Sequence, residues 1–204
     1  MNPYYEATVS WYENIAREGR ENPSAHRRKI CQNYLEHAAL EYTDRWPEIF
    51  TPERTVEHPV YKVHWGTSET VVYDGLDAVK GFYLGLKDAG TLSNQDELLS
   101  VADWGFSSFL KINLYRTGAQ LLDIGAEIDD PDGEYVIQTP CAMYWLYDEN
   151  ARLIGENVYE MEPGVIRKLA PGETLTGNDL WNLVKPYLPH GREVGTSDAF
   201  RDVR

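Results

Sequence analysis

The feature that most constrains this chain is the order of its patterns: helical periodicity comes first and strand patterning follows. From residue 96 the chain reads as long strands, at 96–104, 107–117, 120–128, 134–147 and 151–162. Asp130-Pro131-Asp132-Gly133 and Asp148-Glu149-Asn150 supply the last two turns, because Asp, Asn and Gly accept the backbone angles of hairpins. Before them, residues 4–18 and 23–42 carry amphipathic helical spacing. Asn22-Pro23 marks the second start, with Asn as cap and Pro in the first turn. Within it Cys31, Leu35, Ala38 and Tyr42 share one stripe, and Ile30, Tyr34, His37 and Glu41 the adjacent one. A short helical turn at 44–51, strands at Thr55–Trp65 and Val71–Tyr73, and a helix at 76–88 complete the first half. Helices followed by consecutive long strands predict an α+β fold. The expected form is a cone-shaped, strongly curved, mainly antiparallel sheet with the N-terminal helices packed on its concave face.

Residues 1–162 are expected to form a single domain that includes an N-terminal helical extension. The stretch 163–204 differs, with Pro163, Pro171, Pro186 and Pro189 around one helix at 177–187. It reads as an extension wrapping the domain or a partner subunit. Trp181, Leu183, Val184 and Tyr187 favour docking of its middle, while the last ten or so residues are expected to fray.

A net charge of −14 argues against nucleic acid, whose phosphates call for Lys and Arg, and against anionic membrane surfaces. No apolar run approaches the roughly 20 residues of a membrane span, and the first residues lack the apolar core of a secretion signal. Cys31 and Cys141 sit in no CxxC pair and in no zinc-ligand spacing. Two unpaired thiols suggest a reducing, cytoplasmic setting. Phosphate-loop, dinucleotide, nucleophile-elbow and HExxH patterns are all missing from the sequence. The expectation is therefore no cofactor and no metal, with chemistry carried by side chains alone. The 14 Tyr and 6 Trp suit the walls of a pocket for a small hydrophobic molecule, and equally a core or a subunit contact.

Thr55-Val56-Glu57-His58-Pro59-Val60 places a histidine where the first strand begins. An imidazole with an unperturbed pKa of about 6.5 can take and return a proton near neutrality. A surface histidine at a strand edge is the alternative. His64 lies six residues on, about 20 Å away along an extended strand, too far to share a metal with His58. The start of this strand is expected to face the pocket, with His58 near its floor, although the opposite face holds Tyr61, Val63 and Trp65 and is the more apolar; a bulge at Pro59 could switch faces. Strand parity groups Cys141, Met143 and Trp145 against Ala142, Tyr144 and Leu146. Glu156 or Glu160, if turned inward, could pair with His58. Asp103, set between Val101-Ala102 and Trp104, is either inward with a shifted pKa or simply outward. Tyr42 and Trp46 could close the pocket.

Four segments resemble a known family. TVEHPV (55–60) is similar to the TVEDPV stretch of ketosteroid isomerases. YDGLDAVKGFYLGL (73–86) resembles a Gly-then-helix ending in a Phe-Tyr pair, LYDENARLIGENVYE (146–160) the last hairpin, and CQNYLEHAALEY (31–42) the long first helix. In this order, over about residues 25–162, they resemble the NTF2-like superfamily, which includes SnoaL-like polyketide cyclases, ketosteroid isomerase, scytalone dehydratase and limonene epoxide hydrolase. The resemblance implies a general-base position at His58 and an oxyanion-binding tyrosine at Tyr34. The second oxyanion donor falls near Met143, which cannot donate, so ketosteroid isomerisation itself is not implied. The implied function is a cofactor-independent lyase or isomerase acting by acid/base proton transfer. Its substrate would be a small hydrophobic hydroxyl- or carbonyl-bearing molecule such as a terpenoid, polyketide, steroid or aromatic intermediate. Asp103 and Glu156 are candidates to assist. Tyr42, Trp46, Tyr61, Met143, Tyr144, Trp145 and Glu160 are candidates for the pocket. Two alternatives stand: a limonene-type epoxide hydrolase, for which Arg116 and Asp123 lack the short Arg-x-Asp spacing, and a non-catalytic binding or dimerisation module. A homo-oligomer, most simply a dimer, is expected.

Overall fold

The computed structural model describes residues 2–66, 69–87 and 91–187. Two long helices open it, α1 (Pro3–Glu21) and α2 (Ala25–Tyr42). The Asn2 side chain starts α1 by accepting from the N–H groups of Tyr4 and Tyr5, with Pro3 in the first turn. Ser24 starts α2 by accepting from Arg27 N–H, and caps of this kind contribute about 1 kcal/mol each. α1 buries Tyr4, Thr8, Trp11, Tyr12 and Ile15, in steps of three and four, against α2 and the sheet edge. α2 is different: Ile30, Cys31, Asn33, Leu35, His37 and Leu40 are all buried although they point to different sides. Only the stripe Ala25-Lys29-Gln32 stays exposed, and a polar group on the enclosed sides must be paired or neutral.

A 3₁₀ turn (Trp46–Ile49) leads to β1 (Val60–His64), β2 (Val71–Asp74) and α3 (Leu76–Lys87). The long strands are β3 (Leu92–Ala102), β4 (Gly105–Thr117), β5 (Glu134–Tyr147) and β6 (Leu153–Glu160). The sheet is open and curved, in the order β2-β1-β6-β5-β4-β3. Its pairs are antiparallel except β1 with β6, which run parallel. The parallel contact depends on Gly155, because a Cβ there would meet the Val60 carbonyl oxygen at 2.0 Å.

Two features redirect side chains. At Asp96, with φ of 56°, the β3–β4 register slips between Gln95 and Leu98. This bulge turns Glu97, Leu99 and Val101 toward the helices, where Leu92 and Asn94 faced inward before it, and leaves Leu98 outside. At the end of β4 the expected strand over 120–128 is instead α4 (Gly118–Asp123) followed by a loop. Thr117 and Gln120 form a reciprocal capping box that nucleates the helix and overrides the strand-like composition.

Beyond residue 162, β7 (Val165–Lys168) pairs with Tyr135–Gln138 of β5. α5 (Gly177–Val184) buries Leu180, Leu183 and Val184 and touches α2. Tyr187 then stacks on Tyr12 at 4.8 Å. The expectation for the last ten residues lies outside the described residues.

Candidate active site

A cavity of about 480 Å³ lies between α2, α3 and the inner face of the sheet. α2 supplies Tyr34, Ala38, Glu41 and Tyr42, spaced so that all four face the same way. The sheet supplies Met143 and Trp145 from β5, Glu156 and Val158 from β6, and Asn94, Ile112 and Arg116 from β3 and β4. Phe82 and Leu86 of α3 close the opposite wall.

Two carboxylates thus face one apolar space. Glu41 is half-buried, its exposed part turned to the cavity. Burial raises its pKa from the ordinary 4.5 to about 8, and the charge of Glu156 adds to the rise. Glu156 is held in place from behind. The His37 Nε2 lies 3.0 Å from its Oε1 and 2.7 Å from the Tyr83 hydroxyl, which in turn donates to Oε1 over 3.2 Å. A ring nitrogen this close to a carboxylate oxygen must carry its hydrogen, so His37 is either the Nε2–H tautomer or the imidazolium. Its Nδ1 is buried without a partner among the described residues. Tyr61 stands behind Tyr83, their hydroxyls 3.5 Å apart, and Trp46 stacks on Tyr83 at 5.5 Å. Burial pushes the Tyr61 and Tyr83 hydroxyls well above their usual range, with Glu156 as second cause, so both stay protonated donors.

Tyr34 belongs to a separate pair. Its hydroxyl donates to Glu97 Oε1 over 2.9 Å, and Ser108 Oγ donates to the same oxygen over 2.7 Å. Burial raises the Glu97 pKa against the lowering by these two donors. Since Tyr34 has one hydrogen and gives it to Glu97, the oxygen it offers the cavity is an acceptor. That differs from the donor role implied by the resemblance.

The structure does not bring His58 to this cavity. Glu57 and His58 form an exposed bend, and the strand starts only at Val60, after the buried Pro59. The apolar face of β1 wins the inside: Tyr61 is fully buried, and Val63 and Trp65 line the cavity. The His58 side chain is 71% exposed. Its Nε2 donates to Asp74 Oδ1 over 2.7 Å, and its ring lies over Gly75 at the start of α3. Asp103 is likewise outside. Asp103-Trp104 is the two-residue turn between β3 and β4, and the side chain, 73% exposed, meets Arg27 Nε at 2.8 Å. Tyr144 points to the outer face, where it stacks on Tyr159, as its parity opposite to Met143 and Trp145 requires. Glu160 accepts from Gly66 N–H at the rim of the sheet and does not line the cavity. Tyr61 and Trp46 sit behind the wall, around Tyr83. Asp123 is exposed on α4, so no Asp-Arg-Asp set forms with Arg116. Cys31 and Cys141 are buried thiols pushed by burial up to about 12, which makes both poor nucleophiles. Among the described residues no group of three or more His, Cys, Asp or Glu could hold a metal ion, and no helix is long and apolar enough to cross a membrane.

Parity and resemblance had singled out Tyr34, Glu156, Tyr42, Met143 and Trp145, which do line the cavity. They had passed over Glu41, His37, Tyr83 and Glu97. The stripe Ile30-Tyr34-His37-Glu41 contained the signal: an acid and a histidine one turn apart on a helix face that also carries Ile and Tyr.

No family model matches the sequence, and no curated protein matches it either. The chain is similar in fold to solved structures. One is a protein proposed as a SnoaL-like polyketide cyclase from Jannaschia sp. CCS1, at 12% identity over 69% of this chain and 91% of that one, with a TM-score of 0.49. Another is the epoxide hydrolase/cyclase-like enzyme SalBIII of salinomycin pyran-ring formation, at 16% identity, covering 66% and 89%, with a TM-score of 0.41. A third is the CaMKII hub of S. rosetta, at 12% identity, covering 71% and 98%, with a TM-score of 0.41.

Proposed function

We propose that this protein is a cofactor-independent lyase or isomerase that moves a proton on a small, largely apolar hydroxyl- or carbonyl-bearing molecule. The observation that supports it is the pair Glu41 and Glu156 on one apolar cavity. Like charges in such a space share a proton, so near neutral pH one carboxyl is an acid while the other is a base. On a ketone, Glu41 gives its proton to the carbonyl oxygen as Glu156 takes one from the neighbouring carbon. The enol then gives its hydroxyl proton back to Glu41 and takes the proton from Glu156, at the same or another carbon. On an alcohol, Glu41 protonates the departing hydroxyl, which leaves as water, while Glu156 takes a proton from the neighbouring carbon and the carbon–carbon double bond forms. His37 and Tyr83 position Glu156 and are positioning residues. Tyr34, as an acceptor, orients a substrate hydroxyl.

The test needs no known substrate. Cyclic ketones of one to three rings are incubated with the protein in deuterium oxide, and uptake of deuterium at the α-carbon is followed by NMR. Uptake by at least one ketone, lost in Glu41→Gln, is the expected result. If no ketone exchanges above the buffer rate, or Glu41→Gln exchanges as well as the parent, the reading falls.

For assembly we read the outer sheet face as a contact between two copies of the chain. Leu98, Phe109, Ala142 and Tyr159 are neighbours across four strands there, and Leu98 and Phe109 are exposed.

A further inference from the structure

The cavity has two chemically unlike ends. Glu156 belongs to the cross-strand row Phe106-Trp145-Glu156, with Glu41 facing it from α2. Arg116 belongs to the row Arg116-Tyr135 at the far end of β4. Leu92, Ile112 and Leu114 form the apolar wall leading to it.

Arg116 itself lacks a carboxylate. Arg27, Arg45, Arg54, Arg152 and Arg167 each meet one. Arg116 forms no ion pair among the described residues, and its Nε is buried with no hydrogen-bond partner. Two of the acids of the following loop, Asp129 and Asp130, are engaged by Lys168. A second polar group in the same wall is equally short of a partner. Asn94 is 8% exposed, lines the cavity two residues from Leu92 on the inner face of β3, and its Oδ1 takes no hydrogen bond. A buried guanidinium N–H and a buried amide oxygen are costly to leave unpaired in an apolar wall, and neither Arg116 Nε nor Asn94 Oδ1 finds a partner among the described residues.

We propose that the molecule bound here is a carboxylic acid with an apolar body, its carboxylate held by Arg116, with Asn94 Oδ1 accepting a hydrogen bond from a donor along the body. Placing its hydroxyl or carbonyl at Glu41 rests on the proton-transfer reading; the carboxylate at Arg116 does not. The planar guanidinium fork fits a carboxylate with two parallel hydrogen bonds. A single cation suits one negative charge, and a phosphate would leave most of its charge unmet. The one negative charge that the acid pair keeps at the other end repels the same carboxylate, which favours one orientation.

The probes are decanoate, decanol, decylammonium and decyl phosphate, with binding followed by calorimetry on the full chain at pH 7. Decanoate is expected to bind about tenfold or more tighter than decanol, the range of one charge-assisted hydrogen-bonded contact. Arg116→Gln should erase that preference and leave decanol unchanged. Arg116→Lys should restore part of it. Glu41→Gln should keep it, which separates this proposal from the proton-transfer reading. In the parent protein the Arg116 Nε–H resonance, assigned by its absence in Arg116→Lys, should move on adding decanoate and not on adding decanol; this readout does not depend on how Arg116→Gln folds. Equal affinity for decanoate and decanol, no binding of decanoate, tighter binding of decylammonium or decyl phosphate, or a preference that survives Arg116→Gln overturns the proposal.

Discussion

Glu41 and His37 stand one helical turn apart on α2, and they solve the problem of a polar group in an enclosed helix in opposite ways. His37 is paired with Tyr83 and Glu156. Glu41 is left to hold its own proton, raised to about 8. The sign of the linkage follows. Between pH 4.5 and about 8 the unfolded chain has lost the Glu41 proton while the folded chain keeps it, so stability falls as pH rises through that window and levels off above it. Glu41→Gln carries a neutral group at every pH. It should match the parent near pH 5 and exceed it near pH 9, with urea unfolding at the two values as the measurement. A parallel pH dependence in the two proteins would mean that Glu41 ionises as an ordinary surface acid. His37→Ala should act differently, by stripping the donor from Glu156 and opening a cavity behind it. A loss of about 3 kcal/mol at neutral pH is expected. A double-mutant cycle with Glu156→Gln should show that most of the loss depends on the Glu156 charge, whereas additive losses would place it in packing.

At the scale of elements, the close contact of β1 with β6 is the least replaceable feature. A methyl group at Gly155 collides with the Val60 carbonyl, and β1 is what carries Val63 and Trp65 into the cavity wall. Gly155→Ala should therefore cost about 2 kcal/mol or more in thermal or chemical unfolding. It should also weaken any ligand of the cavity. The two long helices, the third helix and the long β5 and β6 strands were legible because their period or their turns are strong in the sequence. The short elements depended on signals of one or two residues. Pro59 decides where β1 begins and so removes His58 from the site. A Thr117-Gln120 capping box converts 120–128 from strand to helix and loop. The bulge at Asp96 sends Glu97 inward against simple alternation. Glu156 was found because strand parity is rigid once pairing is set. Glu41 was missed because a charged residue on a helix is ordinarily solvated, and only the enclosure of α2 by α1, α5 and the sheet makes it otherwise.

At the scale of the whole molecule, charge and apolar surface oppose each other. The chain carries −14, and two copies would repel. The outer sheet face nevertheless leaves Leu98 73% exposed, beside Phe109 in the next strand, with Tyr144 and Tyr159 stacked nearby. If this face joins two copies, apolar burial must overcome the repulsion, and salt decides by how much. Added salt shortens the screening length from about 30 Å at 0.01 M to about 10 Å at 0.1 M, so the dimer should tighten as salt is added. An interface held by ion pairs would weaken instead. Sedimentation equilibrium at the two salt concentrations reads the direction. Phe109→Glu, on an exposed position away from the cavity, should shift the protein to monomer at both while leaving decanol binding unchanged. A dimer that persists in this variant and loosens with salt would put the contact on another face, one built from charged groups.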